Sequence, residues 1–139
     1  MLFLCTGNSC RSHLAEGLLE SIAGDAYSSL SAGTRPAGYV HPLAVRVMGE
    51  LGIDISGHSS KSIESFLPPV GDPPDLVVSV CAGAEKECPP FPADVRRIHW
   101  LFEDPAKVSG GSDEQLAVFR RIRDEIRHRL VRALEGGEL

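Results

Sequence analysis

The run Leu76-Val77-Val78-Ser79-Val80 is β-branched and, apart from its serine, wholly apolar. A strand that does not alternate apolar with polar residues buries both faces, and such strands belong to parallel sheets covered by helices. Leu2–Cys5 is a second run of this kind, and Tyr27–Ala32, ending at Gly33, and Arg96–Trp100 read as two further strands. Between them the period changes. Leu14, Ala15, Leu18, Leu19 and Ile22 recur at helical spacing and are stopped by Gly24-Asp25. Pro42 suits a helix N1 position, with Leu43, Val47, Met48 and Leu51 as the apolar stripe and Gly52 as the stop. Thr34–Val40 is a loop, and Ile63–Phe66 suits a short helix. Ser112 to Gln115 matches the capping-box pattern that opens a long helix through Phe119, Ile126 and Leu134. The arginines of that helix, 120, 121, 123, 127, 129 and 132, read as a solvated face. The order β-α-β-α-β-β-α predicts one α/β domain over residues 1–139, a four-stranded parallel sheet with helices on both faces. Sheets of this type hold ligands at the C-terminal ends of their strands, where Cys5 and Cys81 both stand.

The bulk properties narrow the function classes. The net charge of −5 excludes a whole-molecule electrostatic footprint for nucleic acid. No apolar run approaches the ~20 residues that span a bilayer, and the N-terminus lacks the basic and apolar regions of a signal peptide. A cytoplasmic monomer is the expectation. In that compartment Cys5, Cys10, Cys81 and Cys88 are catalytic, metal-binding or buried rather than a disulfide framework.

The loop after the first strand has the chemistry of an anion cradle. In "LFLCTGNSCRS" an apolar run delivers Cys5 to a loop of small residues, Thr6, Gly7, Asn8, Ser9 and Cys10. Successive N–H groups of such a loop, completed by a helix N-terminus, form a nest for an oxyanion. Gly7 permits a tight turn, and Asn8 tolerates a left-handed backbone better than most residues. Arg11 adds a planar fork of donors matched to a tetrahedral oxyanion. A cysteine at the mouth of this nest is favoured as thiolate, and Ser12 is a further donor to it. Cys5 is therefore a candidate nucleophile and Thr6–Ser12 a candidate oxyanion site. A four-thiolate zinc site is the competing use of the cysteines, but the C-x4-C and C-x6-C spacings are loose for one, so no metal is expected.

"LFLCTGNSCRSHLAEGLL" resembles the phosphate loop of the low-molecular-weight tyrosine phosphatase fold, and more closely that of the arsenate reductases built on it. The resemblance extends through "SAGT" at 31–34, "HPLAVRVMGELGIDISGHSSKSI" at 41–63, "DLVVSVCAGAEKECPPFP" at 75–92 and "HWLFEDPA" at 99–106. It implies a flavodoxin-like three-layer fold, and arsenate as substrate with phosphate or sulfate as competing oxyanions. It also implies a relay in which Cys5 attacks arsenic, Cys81 attacks Cys5 and Cys88 resolves the disulfide. Thioredoxin is the implied reductant, and no cofactor is called for. Asp104 of "EDPA" is the implied general acid; the residues alone leave an ordinary Asp-Pro turn equally open. Cys10 stands outside the relay.

Phosphatases of this fold commonly carry tyrosines after the Asp-Pro. Ala106-Lys107 follows here, which favours a small inorganic substrate. Six residues in helix would separate Cys81 and Cys88 by about 10 Å, beyond the roughly 4.4–6.8 Å that a disulfide allows. The 82–92 segment must therefore rearrange on oxidation, with Gly83 as its flexible point. Asn8, Glu16 and Ser31 match positions that hold potassium in some of these reductases. Lys61 stands at the matching acidic position, so its ammonium is expected in the cation's place. His58 reads as a surface residue. Two other functions are compatible with the loop: a low-molecular-weight protein tyrosine phosphatase, and an oxyanion-binding redox sensor.

Overall fold

The computed structural model describes residues 1–92 and 94–139. Four strands, β1 (Leu2–Cys5), β2 (Leu30–Gly33), β3 (Leu76–Ser79) and β4 (Arg96–His99), form one parallel sheet in the order β2-β1-β3-β4. Leu2 pairs with Leu30 on one side and Val77 on the other, so β1 and β3 occupy the centre. All residues of these two strands are buried, as their unbroken apolar runs require. The edge strand β4 is largely exposed, which explains its two arginines. The strand expected from Tyr27 begins only at Leu30.

Helices α1 (Arg11–Ala23), α2 (Pro42–Gly49), α3 (Ala82–Glu87) and α4 (Ser112–Glu135) complete the flavodoxin-like α/β arrangement. Helices α1, α2 and α4 pack on one another, and α3 lies against β1 and β3. Phe3, Leu4, Leu18, Met48, Phe119 and Ile126 are among the side chains fully enclosed between sheet and helices. Gly17 lets α1 approach α2 closely: a Cβ there would stand 2.8 Å from both Met48 Cε and Ile55 Cγ2.

Three local expectations are corrected, and Gly83 gains a role beside its expected flexibility on oxidation. Ser112 does not cap α4; Gly111 does, without a side-chain bond, and Gln115 Nε2 instead donates to the Val108 carbonyl at 3.5 Å. Arg123 is not on a solvated face. It is buried, with Nη1 donating to the Val47 carbonyl at 2.8 Å and to Glu50 at 2.9 Å, and so ties α4 to α2. Leu51 is exposed because α2 ends at Gly49, before the stripe reaches it. Gly83 lies inside α3, where a Cβ would meet Thr6 Oγ1 at 2.7 Å; its role in the structure is close approach.

Candidate active site

The loop between β1 and α1 is fixed by the segment that follows β2. The carbonyls of Cys5, Thr6, Gly7 and Ser9 accept from the backbone N–H groups of Thr34, Arg35, Ala37 and His41, at 2.8 to 3.2 Å. With the carbonyls drawn to that side, the opposite side of the loop is left to its N–H groups and to an anion. Asn8 takes the left-handed conformation, φ 46°, and its side chain is fully engaged. Its Nδ2 donates to Ser12 Oγ at 2.8 Å, and its Oδ1 accepts the Lys61 N–H at 2.7 Å. This bracing by Thr34–His41 and Lys61 was not legible in the sequence, where residues 34–40 carry only loop composition.

Cys5 is buried, and its sulfur accepts the Asn8 N–H at 3.1 Å and lies 2.9 Å from Ser12 Oγ. Both groups are donors to a thiolate. The cavity beside it, about 210 Å³, is lined by Cys5, Thr6, Gly7, Ser9, Cys10 and Arg11, and from the far side by Asp104, Ala106 and Lys107. Asn8 and Ser12 lie beneath Cys5 and off the cavity wall, fully buried. Arg11 reaches across: Nη1 donates to the Phe102 carbonyl at 3.0 Å, and Nη2 lies 3.6 Å from Asp104 Oδ2. Arg11 Nε is buried and has no partner among the described residues, a donor suited to an oxyanion. The other Asp104 oxygen accepts the Ala106 N–H at 3.0 Å, which fixes the carboxylate at the cavity mouth. Burial pushes the Cys10 thiol up to about 12, with the contact to Ser9 opposing it, so Cys10 stays a protonated wall residue.

The other two thiols sit at opposite ends of α3. Cys81 caps its N-terminus, with Sγ accepting the Ala84 N–H at 3.4 Å, and the same sulfur lies 3.4 Å from Thr6 Oγ1. Cys88 closes the C-terminus, where Arg97 Nη2 contacts its sulfur at 2.8 Å and the Pro89 carbonyl at 2.9 Å. The helical rise between them is about 10 Å. Glu87 anchors that end of α3 to the segment after β2, through Thr34 Oγ1 at 3.1 Å and Arg35 at 3.0 Å. All four cysteines are free thiols, and among the described residues they form no metal-holding cluster.

The positions that the resemblance links to a cation bond to one another or to their neighbours. Lys61 Nζ donates to the Ser59 carbonyl at 2.8 Å, and it is the Lys61 backbone that engages Asn8. Ser31 Oγ donates to Glu16. His58 is half-buried against His13, ring centroids 5.3 Å apart. Sequence reading passed over His13, since a histidine within a helix carries no local signal of its partner.

No helix among the described residues is long and apolar enough to cross a membrane. An arsenate reductase of Halalkalibacterium halodurans is 47% identical over 136 residues, 98% of this chain and 95% of the relative. A solved arsenate reductase in an oxidized state is 34% identical with a TM-score of 0.74, covering 92% of this chain and 90% of its own. A thioredoxin-dependent arsenate reductase of Corynebacterium glutamicum is 26% identical with a TM-score of 0.68, covering 97% of this chain and 61% of its own. A cysteine-bearing loop after β1, an arginine across the cavity and an aspartate at its mouth are the features this structure presents around one cavity. The profile of the low molecular weight phosphotyrosine protein phosphatases matches residues 1–136, and the chain belongs to that family.

Proposed function

We propose that this chain reduces arsenate to arsenite with its own cysteines and is restored by thioredoxin. The contact that carries this reading is Thr6 Oγ1 to Cys81 Sγ, 3.4 Å, which brings a second thiol to the residue next to Cys5. A phosphatase has no use for that thiol. The names of the relatives support the same reaction, and one neighbour is described as thioredoxin-dependent.

The loop N–H groups and Arg11 bind arsenate beside Cys5. The Cys5 thiolate attacks arsenic, and an arsenic–oxygen bond breaks as Asp104 passes a proton to the departing oxygen. The Cys81 thiolate then attacks the Cys5 sulfur. The sulfur–arsenic bond pair stays with arsenic, which leaves as arsenite, and a Cys5–Cys81 disulfide remains. Cys88 attacks Cys81 and releases the Cys5 thiolate. The Cys81–Cys88 disulfide accepts two electrons from the thioredoxin dithiol. The electrons come from sulfur throughout, so the cycle draws on no resident cofactor. Phosphate and sulfate compete for the same cradle. The chain acts as one domain and as a monomer, in a cytoplasm that keeps its thiols reduced.

Thioredoxin-coupled turnover tests this. The wild-type chain releases arsenite continuously, whereas Cys88→Ser stops after about one arsenite per chain, the stoichiometry of a relay with no resolving thiol. Continuous turnover by Cys88→Ser would remove Cys88 from the mechanism. Hydrolysis of a small aryl phosphate uses Cys5, its loop and Asp104 but neither Cys81 nor Cys88, and is expected to survive in that variant.

A further inference from the structure

We propose that His13, Glu16 and His58 form a zinc-class metal site on the protein side of the phosphate loop. The three side chains present donor atoms that all lie within 4.8 Å of one another. His13 Nδ1 and His58 Nδ1 are 3.2 Å apart, and Glu16 Oε1 is 3.8 Å from the first and 3.7 Å from the second. A tetrahedral ion with bonds of about 2.0–2.1 Å holds its ligands roughly 3.4 Å apart, so the triangle closes on such an ion with small movements.

The chemistry of the donors points the same way. His13 is fully buried, and its Nε2 lies 3.0 Å from the Asn8 carbonyl. A carbonyl only accepts, so Nε2 carries the proton and Nδ1 turns a lone pair to the cluster. A ring held through its second nitrogen by a backbone carbonyl is the usual support of a metal-bound histidine. Ser31 Oγ supports Glu16 likewise. The contact between the two Nδ1 atoms needs a proton from His58, and a metal ion takes that proton's place once His58 shifts it to Nε2. Two imidazoles and one carboxylate select zinc, cobalt(II) or nickel(II) over magnesium, calcium or potassium. The set differs from the oxygen ligands Asn8, Glu16 and Ser31 that the resemblance links to potassium. Lys61 is the opposing charge felt at His13, with its ammonium turned to Ser59. Because His13 grips Asn8, a bound ion also steadies the loop whose Asn8 N–H holds Cys5.

Cobalt(II) titration of the fully reduced chain tests the site, because its spectrum distinguishes nitrogen and oxygen ligands from sulfur. We expect one cobalt per chain, visible d–d bands without a sulfur-to-cobalt charge-transfer band, and displacement by zinc. His58→Gln, on the half-exposed side, is expected to keep its circular dichroism and lose roughly tenfold or more in affinity. Lys61→Ala is expected to tighten binding. Absence of cobalt binding overturns the proposal. So does a charge-transfer spectrum that His58→Gln leaves unchanged, which would put the ion on the cysteines.

Discussion

Ser12 and Asn8 hold the Cys5 sulfur from below, Ser12 through a 2.9 Å contact and Asn8 through its backbone N–H at 3.1 Å. A hydrogen bond to a charged group contributes ~1.5–3 kcal/mol. Ser12→Ala is therefore expected to slow arsenate reduction about 10- to 100-fold, read as kcat/KM in the coupled assay, and to lower Tm as well, because Asn8 Nδ2 loses its buried acceptor. A second residue-scale prediction concerns Glu50. Its bonds to Arg120, and then to Arg123, hold its carboxyl down to about 2 in the folded chain. A carboxyl lowered by folding contributes stability that is complete above its unfolded value and is lost as pH falls toward the folded one. The wild-type Tm should fall more steeply than that of Glu50→Gln between about pH 4.5 and pH 2, and the two should run parallel above pH 5. Equal slopes in the acid range would show that the pair of arginines does not select the charged form.

Helix α3 is the element on which the proposed chemistry turns. Its two ends carry Cys81 and Cys88, and no disulfide spans the length of a formed helix. Oxidation must therefore unwind it, breaking the Ala84 N–H cap on Cys81 and the hold of Thr34 and Arg35 on Glu87. Hydrogen exchange is expected to show loss of protection across 82–88 in the Cys81–Cys88 form, while β1 and β3 keep theirs. Gly83 supplies a separate test. A Cβ there would stand 2.7 Å from Thr6 Oγ1, the group that meets Cys81. Gly83→Ala should leave the first attack by Cys5 intact and slow the second transfer about tenfold, as accumulation of the Cys5 adduct in a rapid-quench experiment, through misplacement of Cys81. Strand positions in this region were legible because β1 and β3 are buried on both faces, and no other element type packs such a run so simply. The cap of α4 was not. Gly110 and Gly111 precede Ser112, and the chain turns into the helix one residue earlier than the capping pattern requires.

At the scale of the molecule, residues distant in sequence converge at the C-terminal ends of β1 and β3. Cys5, Arg11 and Cys81 could be brought together by topology alone, because parallel strands deliver their ends to one side. What sequence could not supply were pairings between elements: Thr34–His41 bracing the loop, Arg123 buried against Glu50, and His13 meeting His58. Each depends on tertiary placement of a residue whose local pattern reads as loop, solvent face or surface. The central claim is that two electrons pass from the protein's thiols to arsenic and that the oxidation is handed through three cysteines to a Cys81–Cys88 disulfide. The most direct measurement titrates the free thiols of the reduced chain before and after arsenate, without thioredoxin, and maps the bonded pair by mass spectrometry. One arsenite per chain, two thiols lost and a Cys81–Cys88 bond with Cys5 and Cys10 free is the predicted result. Four surviving thiols and no arsenite would contradict it.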